Sequence, residues 1–400
     1  MRSNAIPVIM YHSVGRTMAN WKWSFLTVPW RTFEDHLKQL KRSGYRSVTL
    51  EQLHAHMSGQ ALLPERSVVL TFDDGFLDNW AFAAPLLRRY GFSATVFVNP
   101  EFVDPRDIVR PCLDDVWNSK ATYQELEYHG FMSWPELKRI SEDGTFSVQS
   151  HLMTHTWYPV NDTVVDFHHP QDDYYWLEWN TAPEMKPFYL QEETTASVAF
   201  GAPVYEHKKS LAATRYFPDH AETEHLADYV AQSGGRVFFD NDEWRQLLFA
   251  ELESFREKHT PNQRMETASE QQERVLGELQ HSKRILSEKL NTEVDYMAWP
   301  GGGYNDETFR LAQTIYKATT INSSDARRNK NQPGDDPQKI SRIGAPYLEA
   351  KGQIYYPGGK YLTAFLDEFR GSFFARKKRQ LYKLGLLATA AGRVPSTDRE

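Results

Sequence analysis

Val68-Val69-Leu70-Thr71-Phe72-Asp73-Asp74-Gly75 joins an apolar, strand-forming run to two adjacent carboxylates and a glycine. A buried strand that ends in this way presents its acids at the edge of a core, where acid–base or metal chemistry can use them. Gly75 allows a positive φ angle or a close ligand approach just past the strand. Because two carboxylates in one pocket have pKa values that are pushed apart, one can bind a metal while the other acts as a base.

Strand-like runs alternate with helical patterns on both sides of this segment. The predicted strands are 6–11, 45–50, 68–72, 93–99, 145–149, 294–299, 318–322 and 340–343. The predicted helices are 33–41, 77–90, 134–142, 268–290 and 307–317. Repeated strand–helix units imply parallel pairing, so the chain is α/β, with either a doubly wound sheet or a barrel.

The alternation stops over residues 156–264, which are aromatic and polar, and we interpret this region as an insertion or cap at the mouth of the scaffold. The scaffold itself then comprises 1–155 and 265–350, and residues 351–400 form a C-terminal extension. Residues 370–383 carry six basic side chains and no acid, with Phe, Leu and Tyr interleaved over 370–387. Such a segment predicts peripheral contact with an anionic membrane surface, and the alternative is a solvated helix packed on the domain.

Composition narrows the class of protein. A net charge of −7 argues against a nucleic-acid binder, and 11 Trp suit either a carbohydrate-handling protein or a large aromatic core. Cys112 is the single cysteine, which excludes an intrachain disulfide and a CxxC zinc knuckle. We expect a cytoplasmic protein, because the N-terminus lacks a secretory h-region and no run approaches the roughly 18 apolar residues of a spanning helix.

Polar clusters follow several predicted strands, and active sites of parallel β/α folds assemble at that edge. His12 follows the first strand, as a proton donor or as a core histidine. His151 and His155 have HxxxH spacing, and on a helix both imidazoles would reach one ion. Two histidines and a carboxylate make a catalytic zinc set with positions left for water and substrate. The glycine-rich run 299–306 offers amides to an oxyanion, or is a plain turn capped by Asn305 or Asp306.

The segment 71–75 followed by Ser150-His151-Leu152-Met153-Thr154-His155 resembles the first two motifs of the polysaccharide deacetylases. These are the NodB-homology proteins of carbohydrate esterase family four, and the resemblance covers residues 1–155 and 265–345. It implies a distorted (β/α) barrel of seven or so parallel strands. The large insertion after the second motif is a departure from the compact members of the family. It also implies hydrolysis of N-acetyl or O-acetyl groups on sugars with one divalent metal.

The resemblance assigns roles by position. Asp74, His151 and His155 would bind the metal, most simply Zn, with Co, Ni, Mn or Fe as alternatives. Asp73 would be the general base. The family's usual last motif is missing, and residues 8–12 are similar to the circularly permuted branch, in which His12 would be the general acid.

Other positions match the family less closely. Gly301 replaces the aromatic residue of a Pro-Tyr pair, so that side of the pocket is either more open or filled by the insertion. The arginine that holds the base has no obvious counterpart, and Arg342 is the candidate substitute. Asn305 matches an asparagine that often follows the pair. The residues that we predict to contact substrate are Pro300, Gly301, Gly302, Tyr304 and Trp157.

We therefore expect a metal-dependent hydrolase that removes an N-acetyl group from a sugar or glycan precursor in surface polysaccharide biosynthesis. Candidate substrates are an acetylated sugar, a nucleotide sugar, a lipid-linked glycan or a polysaccharide, and association with the inner face of the membrane is expected through 370–387. A small-amide hydrolase on the same scaffold and a non-catalytic carbohydrate-binding relative are the alternatives. Aromatic residues early in the insertion would stack on sugar rings or build a small core, and we predict no second metal at 168–173.

Overall fold

The computed structural model describes residues 4–18, 21–191, 198–321, 330–350 and 353–391. Up to residue 150 the structure follows the predicted alternation of strands and helices. The strands here are β1 (Val8–Tyr11), β2 (Ser13–Gly15), β3 (Thr27–Pro29), β4 (Arg46–Ser47), β5 (Ser67–Phe72), β6 (Ala94–Val98) and β7 (Phe146–Ser150). The helices are α1 (Trp30–Arg42), α2 (Leu50–Met57), α3 (Ala84–Tyr90), α4 (Leu113–Trp117) and α5 (Trp134–Glu142).

The insertion and the second half of the scaffold follow. Their strands are β8 (Trp157–Phe167), β9 (Pro203–Lys209), β10 (Tyr216–Phe217), β11 (Arg264–Met265), β12 (Tyr296–Met297), β13 (Ala318–Ile321), β14 (Lys339–Ser341), β15 (Ile343–Gly344), β16 (Leu348–Ala350) and β17 (Gln353–Tyr355). Their helices are α6 (His220–Gln232), α7 (Trp244–Lys258), α8 (Ala268–Leu290), α9 (Asp306–Gln313), α10 (Gly359–Phe369) and α11 (Phe373–Ala391).

The main sheet is parallel throughout and nearly closes on itself. Its strand order is β14-β13-β12-β7-β6-β5-β1-β15, with β4 paired to β5. β14 and β15 lie at opposite ends of this order, yet only Arg342 separates them in sequence. One short segment therefore pairs with β13 on one side and with β1 on the other, which joins the ends of the sheet. The predicted distorted (β/α) barrel is confirmed.

Burial explains the continuous apolar runs of the barrel strands. All residues of β5, β6 and β13 are buried, as expected for parallel strands covered by helices. In the C-terminal extension, α10 packs its Leu362 and Leu366 into the same core as the barrel. The insertion builds a core of its own around Phe167, Tyr205 and Leu226, and the first two of these residues lie on the antiparallel pair β8–β9.

Several predicted elements differ from the structure. The strand predicted over 294–299 is only Tyr296–Met297, and the helix predicted over 307–317 ends at Gln313. Three further differences have a local description. The strand predicted over 45–50 is only Arg46–Ser47, because Thr49 and Gln52 form a capping box that starts α2 at once. The helix predicted over 77–90 begins with a π-helical turn at Asn79–Ala83 before α3. The segment from His151 to His155 is irregular rather than helical. These differences lie at element ends, where local hydrogen bonds compete with the hydrophobic period.

Candidate active site

Asp74, His151 and His155 meet just beyond the ends of β5 and β7. Their ligand atoms all lie within 4.8 Å of one another. His151 Nε2 lies 3.2 Å and His155 Nε2 lies 3.5 Å from Asp74 Oδ1. His151 Nδ1 lies 2.9 Å from the carbonyl oxygen of Ala298, and donation of its proton to that oxygen leaves the Nε2 lone pair facing Asp74. Among the described residues this is the only such group of three, so the histidines and acids at 168–173 form no second one.

Unusual backbone conformations bring these three side chains together. Asp74 has φ 72°, His155 has φ 44°, and Leu152 between the histidines has φ 61°. Left-handed conformations are unfavourable for residues with a Cβ, and they persist where surrounding contacts hold them, commonly at active sites. The two imidazoles thus converge through a strained loop and not through one helical face. Gly75 has φ 74°, which is the first of the two alternatives that the sequence allowed for it.

Glu278, on α8, holds this loop in place. Its carboxylate accepts hydrogen bonds from Met153 N at 2.9 Å, from Thr154 N at 3.2 Å and from Thr154 Oγ1 at 2.5 Å. Asn99 supports the other side by donating from Nδ2 to the carbonyl oxygens of His151 and Leu152. Sequence reasoning missed both residues, since a glutamate within a long amphipathic helix and an asparagine at a strand end carry no distinguishing pattern.

The protonation states of the triad suit a cation. Burial raises the pKa of Asp74, but the imidazoles of His151 and His155 lower it by more than burial raises it. The carboxyl is therefore ionised at neutral pH. Burial lowers the pKa of His155 to about 4, which keeps that imidazole neutral and able to donate a lone pair. Burial lowers the pKa of His151, but the hydrogen bond to Asp74 and the negative charges of Asp73 and Asp74 together outweigh it, and the net shift is upward. Asp74 Oδ1 is buried with no hydrogen-bond donor among the described residues beyond these imidazoles. A divalent cation would bind Asp74 Oδ1. It would also take the place of the proton that the Asp74 carboxylate stabilises on His151.

Asp73 has a separate environment. It is buried, and Arg342 donates to it through both Nη atoms, at 2.6 Å to Oδ1 and 2.8 Å to Oδ2. Burial raises the pKa of Asp73, but the Arg342 guanidinium and then His151 lower it overall. His12 Nε2 lies 3.9 Å from Asp73 Oδ2. Arg342 thus occupies the position that the sequence predicted for it, at the residue where the barrel closes.

A cleft of about 530 Å³ opens over these groups. His12, Asp73, Asp74, His151 and His155 all line it. Much of its wall is aromatic and comes from several parts of the chain: Trp21, Trp23, Phe76, Phe102, Phe131, Trp157, Trp179, Tyr189 and Trp299. The Trp157 ring centroid lies 5.5 Å from that of His155. The insertion therefore contributes side chains to the site directly, and Trp21 and Trp23 add a contribution that the sequence analysis missed.

The glycine-rich loop matches its predictions only in part. Gly301 and Gly302 line the cleft, whereas Pro300 and Tyr304 are not among the lining residues. The Tyr304 ring packs against Trp299, with centroids 5.2 Å apart. Gly302 N donates to Trp299 O at 2.9 Å and Gly303 N donates to Pro300 O at 3.1 Å, so neither amide is free for an oxyanion.

Asn305 and Gly301 each have a structural explanation. Asn305 Oδ1 accepts from the amides of Glu307 and Thr308 and caps α9, which is the plain helix-cap alternative. The space beside Gly301 is occupied by Lys209 of the insertion, since a Cβ on Gly301 would lie 2.8 Å from Lys209 Cε. Of the two expectations for the missing aromatic residue, filling by the insertion is the one observed.

A parallel barrel with an Asp-His-His cluster and a clamped carboxylate at its rim can hold one divalent cation with positions left for water and substrate. Residues 61–184 match the model of the polysaccharide deacetylase family. Residues 61–184 are thus assigned to the polysaccharide deacetylase family, as the motifs predicted.

Individual relatives align with part of the chain. It is 36% identical over 93 residues to YxkH of Bacillus subtilis (strain 168), whose name assigns it to the polysaccharide deacetylases, covering 23% of this chain and 31% of that protein. It is 23% identical over 227 residues to the poly-beta-1,6-N-acetyl-D-glucosamine N-deacetylase of Escherichia coli (strain K12), covering 56% of this chain and 26% of that protein. The chain thus spans less than a third of the length of either curated relative.

Two solved structures are similar in outline. A de-N-acetylase from Aggregatibacter actinomycetemcomitans has a TM-score of 0.48 at 15% identity, covering 84% of this chain and 94% of that one. The BpsB deacetylase domain from Bordetella bronchiseptica has a TM-score of 0.48 at 16% identity, covering 86% of this chain and 97% of that one.

Proposed function

We propose that this protein is a metal-dependent hydrolase that removes N-acetyl groups from sugars of a surface glycan. The observation that carries the proposal is the convergence of Asp74, His151 and His155 beside an Arg342-clamped Asp73 and His12. Three nitrogen and oxygen donors leave coordination positions for water and substrate, and a separate base and acid stand next to them. The family match over 61–184 supports the same reaction class.

The chemistry divides among the residues of the cleft. The chemistry that a divalent cation supplies at such a site is Lewis-acid activation of water and of the acetyl carbonyl. Asp73, kept ionised by Arg342, accepts the proton of the attacking water as the oxygen bonds to the acetyl carbon. His12 donates a proton to the sugar nitrogen as the carbon–nitrogen bond breaks, since an amide anion cannot leave. The products are acetate and the free amine.

The aromatic wall favours a sugar polymer as the substrate. Tryptophan faces offer large, rigid surfaces on which the apolar faces of sugar rings can stack, and Trp157 and Trp179 lie beside the metal triad. The Escherichia coli relative is named for poly-beta-1,6-N-acetyl-D-glucosamine, which makes that polymer the natural reference substrate. Nucleotide sugars and lipid-linked glycans remain candidates to be compared with it.

Hydrolysis across a substrate panel tests the proposal, measured as acetate release from the acetylated sugars and as release of free amine from the small amides. The panel contains β-1,6-linked N-acetylglucosamine oligomers, chitin oligomers, a nucleotide sugar, a lipid-linked sugar and small N-formyl and ureido compounds, with Asp73→Asn as the inactive control. We expect acetate from at least one acetylated sugar and none from the control. Turnover of only the small amides would instead establish a small-amide hydrolase. Sugar binding without any turnover would establish a non-catalytic carbohydrate-binding protein.

Zinc is the ion that we propose for the site, because two imidazoles and one carboxylate with open positions are a common catalytic zinc set. Elemental analysis of the purified protein, followed by reconstitution of chelator-treated protein with Zn, Co, Ni, Mn or Fe, identifies the ion. Highest activity with a different ion would overturn the zinc assignment and leave the site assignment intact.

The C-terminal helix α11 is the segment that we propose to contact an anionic membrane surface. Its Phe373 is 64% exposed, Phe374 81%, Leu381 69% and Leu384 65%, and basic residues at 376–379 and 383 lie among them. No helix within the described residues has the length and apolar character needed to cross a bilayer. Sedimentation with phosphatidylserine-containing vesicles should decrease on Phe374→Ser and Leu381→Ser substitution, and equal binding of the variant would contradict the proposal. The expected cytoplasmic location stays a prediction, which cell fractionation can check.

A further inference from the structure

Lys209, the last residue of β9, extends from the insertion across the glycine-rich loop into the cleft. A Cβ on Gly301 would lie 2.8 Å from Lys209 Cε and 3.0 Å from Nζ, and a Cβ on Gly303 would lie 2.5 Å from Lys209 Cβ. Gly301 also has φ +54°, which disfavours any side chain there. The successive glycines therefore leave the room that the lysine stem occupies.

The Lys209 ammonium has no ionic partner within the described part of the chain. Lys209 is half-buried and lines the cleft, but no carboxylate of the described residues lies within 4.0 Å of its Nζ. Arg342, the other permanently cationic residue of the lining, is already paired with Asp73. Burial lowers the pKa of Lys209, which records the loss of hydration around its charge.

An unpaired, partly desolvated charge is unfavourable for the folded protein, and such groups occur where a ligand supplies the missing partner. An ammonium is a compact point charge that binds carboxylate or phosphate oxygens through charge-assisted hydrogen bonds. It would also repel the cationic amine of an already deacetylated neighbouring sugar. The charge of Lys209 thus favours a substrate with a negative group close to the acetylated ring.

We propose that Lys209 forms an anion subsite, and that the preferred glycan carries a carboxylate or phosphate group next to the N-acetylated sugar. This inference rests on the proposed deacetylase function and specifies its substrate class. The competing explanation is that the aliphatic stem alone matters, as packing over the glycine-rich loop. Lys209→Met separates the two, because methionine keeps an unbranched apolar stem and removes the charge.

The test compares kcat/KM for acetate release from three oligosaccharides. One is neutral β-1,6-linked N-acetylglucosamine, one alternates N-acetylglucosamine with a uronic acid, and one carries a phosphate. We expect Lys209→Met to lower kcat/KM on one of the anionic substrates by about 10- to 100-fold, through KM, which corresponds to one hydrogen bond to a charged group. Which of the two is affected distinguishes carboxylate from phosphate. Activity on the neutral oligomer should stay within about threefold, a difference of less than 1 kcal/mol.

Two control variants are measured beside Lys209→Met. Lys209→Arg keeps the charge and should retain a preference for the anionic substrate. Lys208→Met removes the charge of the neighbouring exposed lysine on β9 and should leave all three rates unchanged. Equal losses on neutral and anionic substrates in Lys209→Met, or no loss on either, would overturn the anion subsite.

Calorimetric titration separates this inference from the proposed function. Glucuronate and inorganic phosphate are titrated into the wild-type protein and into Lys209→Met, with no turnover required. Binding of one anion by the wild type that is lost in Lys209→Met supports the subsite even if no oligosaccharide releases acetate. Absence of anion binding together with acetate release would reject the subsite and keep the deacetylase.

Discussion

Replacement of Arg342 by methionine tests the ion pair that sets the charge of Asp73. The side chains of Arg342 and Asp73 are only 8% and 4% exposed, and two hydrogen bonds of 2.6 and 2.8 Å join them. Arg342→Met leaves a buried carboxylate without its counter-charge. Since breaking a buried pair from one side costs about 3–5 kcal/mol, we expect the free energy of unfolding in urea at pH 7 to fall by about that amount.

A double-mutant cycle isolates the pair itself. Asp73→Asn in the Arg342→Met background removes the stranded charge, so the double variant should be less destabilised than the sum of the two single variants, by about 0.5–3 kcal/mol. Arg342→Lys is the matched control, because it keeps a positive charge without the planar two-point contact. Additive losses would show that the two groups do not interact as the structure indicates.

Arg342→Met should also change the pH dependence of activity in a defined direction. In the wild type, burial raises the pKa of Asp73 but Arg342 and His151 lower it below its ordinary value. The pair therefore stabilises the fold above the unfolded-state pKa, and this contribution disappears as the pH falls through the folded-state pKa. Without Arg342 the burial effect is less opposed, so residual activity in Arg342→Met should decline at a higher pH than in the wild type. An acidic limb that does not move would refute the assignment of Asp73 as the clamped base.

The remaining predictions concern the metal triad and the proton donor. His155→Ala should abolish bound metal in elemental analysis while the far-ultraviolet circular dichroism stays native, and metal retained at full occupancy would exclude His155 as a ligand. Glu278→Gln should weaken metal affinity about 10- to 100-fold in chelator competition, because the loop hydrogen bonds become weaker; unchanged affinity would mean that the loop holds itself. His12→Ala should keep its metal but lose about 10²–10⁴-fold in rate, and near-normal turnover would show that another group protonates the amine.

The barrel and the central site residues could be predicted from the sequence because their signals are local. Two patterns are visible in the sequence without any structure. One is the apolar run that ends in Asp73 and Asp74, and the other is the HxxxH pair that follows the second strand after it. The family resemblance then supplied the proposed metal ligands, and the structure places their ligand atoms within 4.8 Å of one another. Arg342 was reached only as a substitute for a missing arginine, and its position depends on how the barrel closes.

The features of the site that could not be predicted from the sequence depend on contacts between residues far apart in the chain. Glu278 is one of several glutamates on an amphipathic helix, and only the fold reveals that it faces the loop between the histidines. The HxxxH spacing suggested a helix, but tertiary contacts hold Leu152 and His155 in left-handed conformations that no period in the sequence encodes. Lys209 lies far from the motifs in sequence, and its reach over Gly301 follows from the path of the insertion.

Metal-dependent acetate release is the most direct test of the proposed hydrolase site. Purified protein is treated with a chelator, assayed on N-acetylglucosamine oligomers, and then supplied with one equivalent of zinc, with His155→Ala in parallel. We expect activity to vanish on chelation and to return on zinc addition for the wild type only. Acetate release that survives complete removal of the metal, or that persists in His155→Ala, would contradict a hydrolase built on the Asp74, His151 and His155 triad.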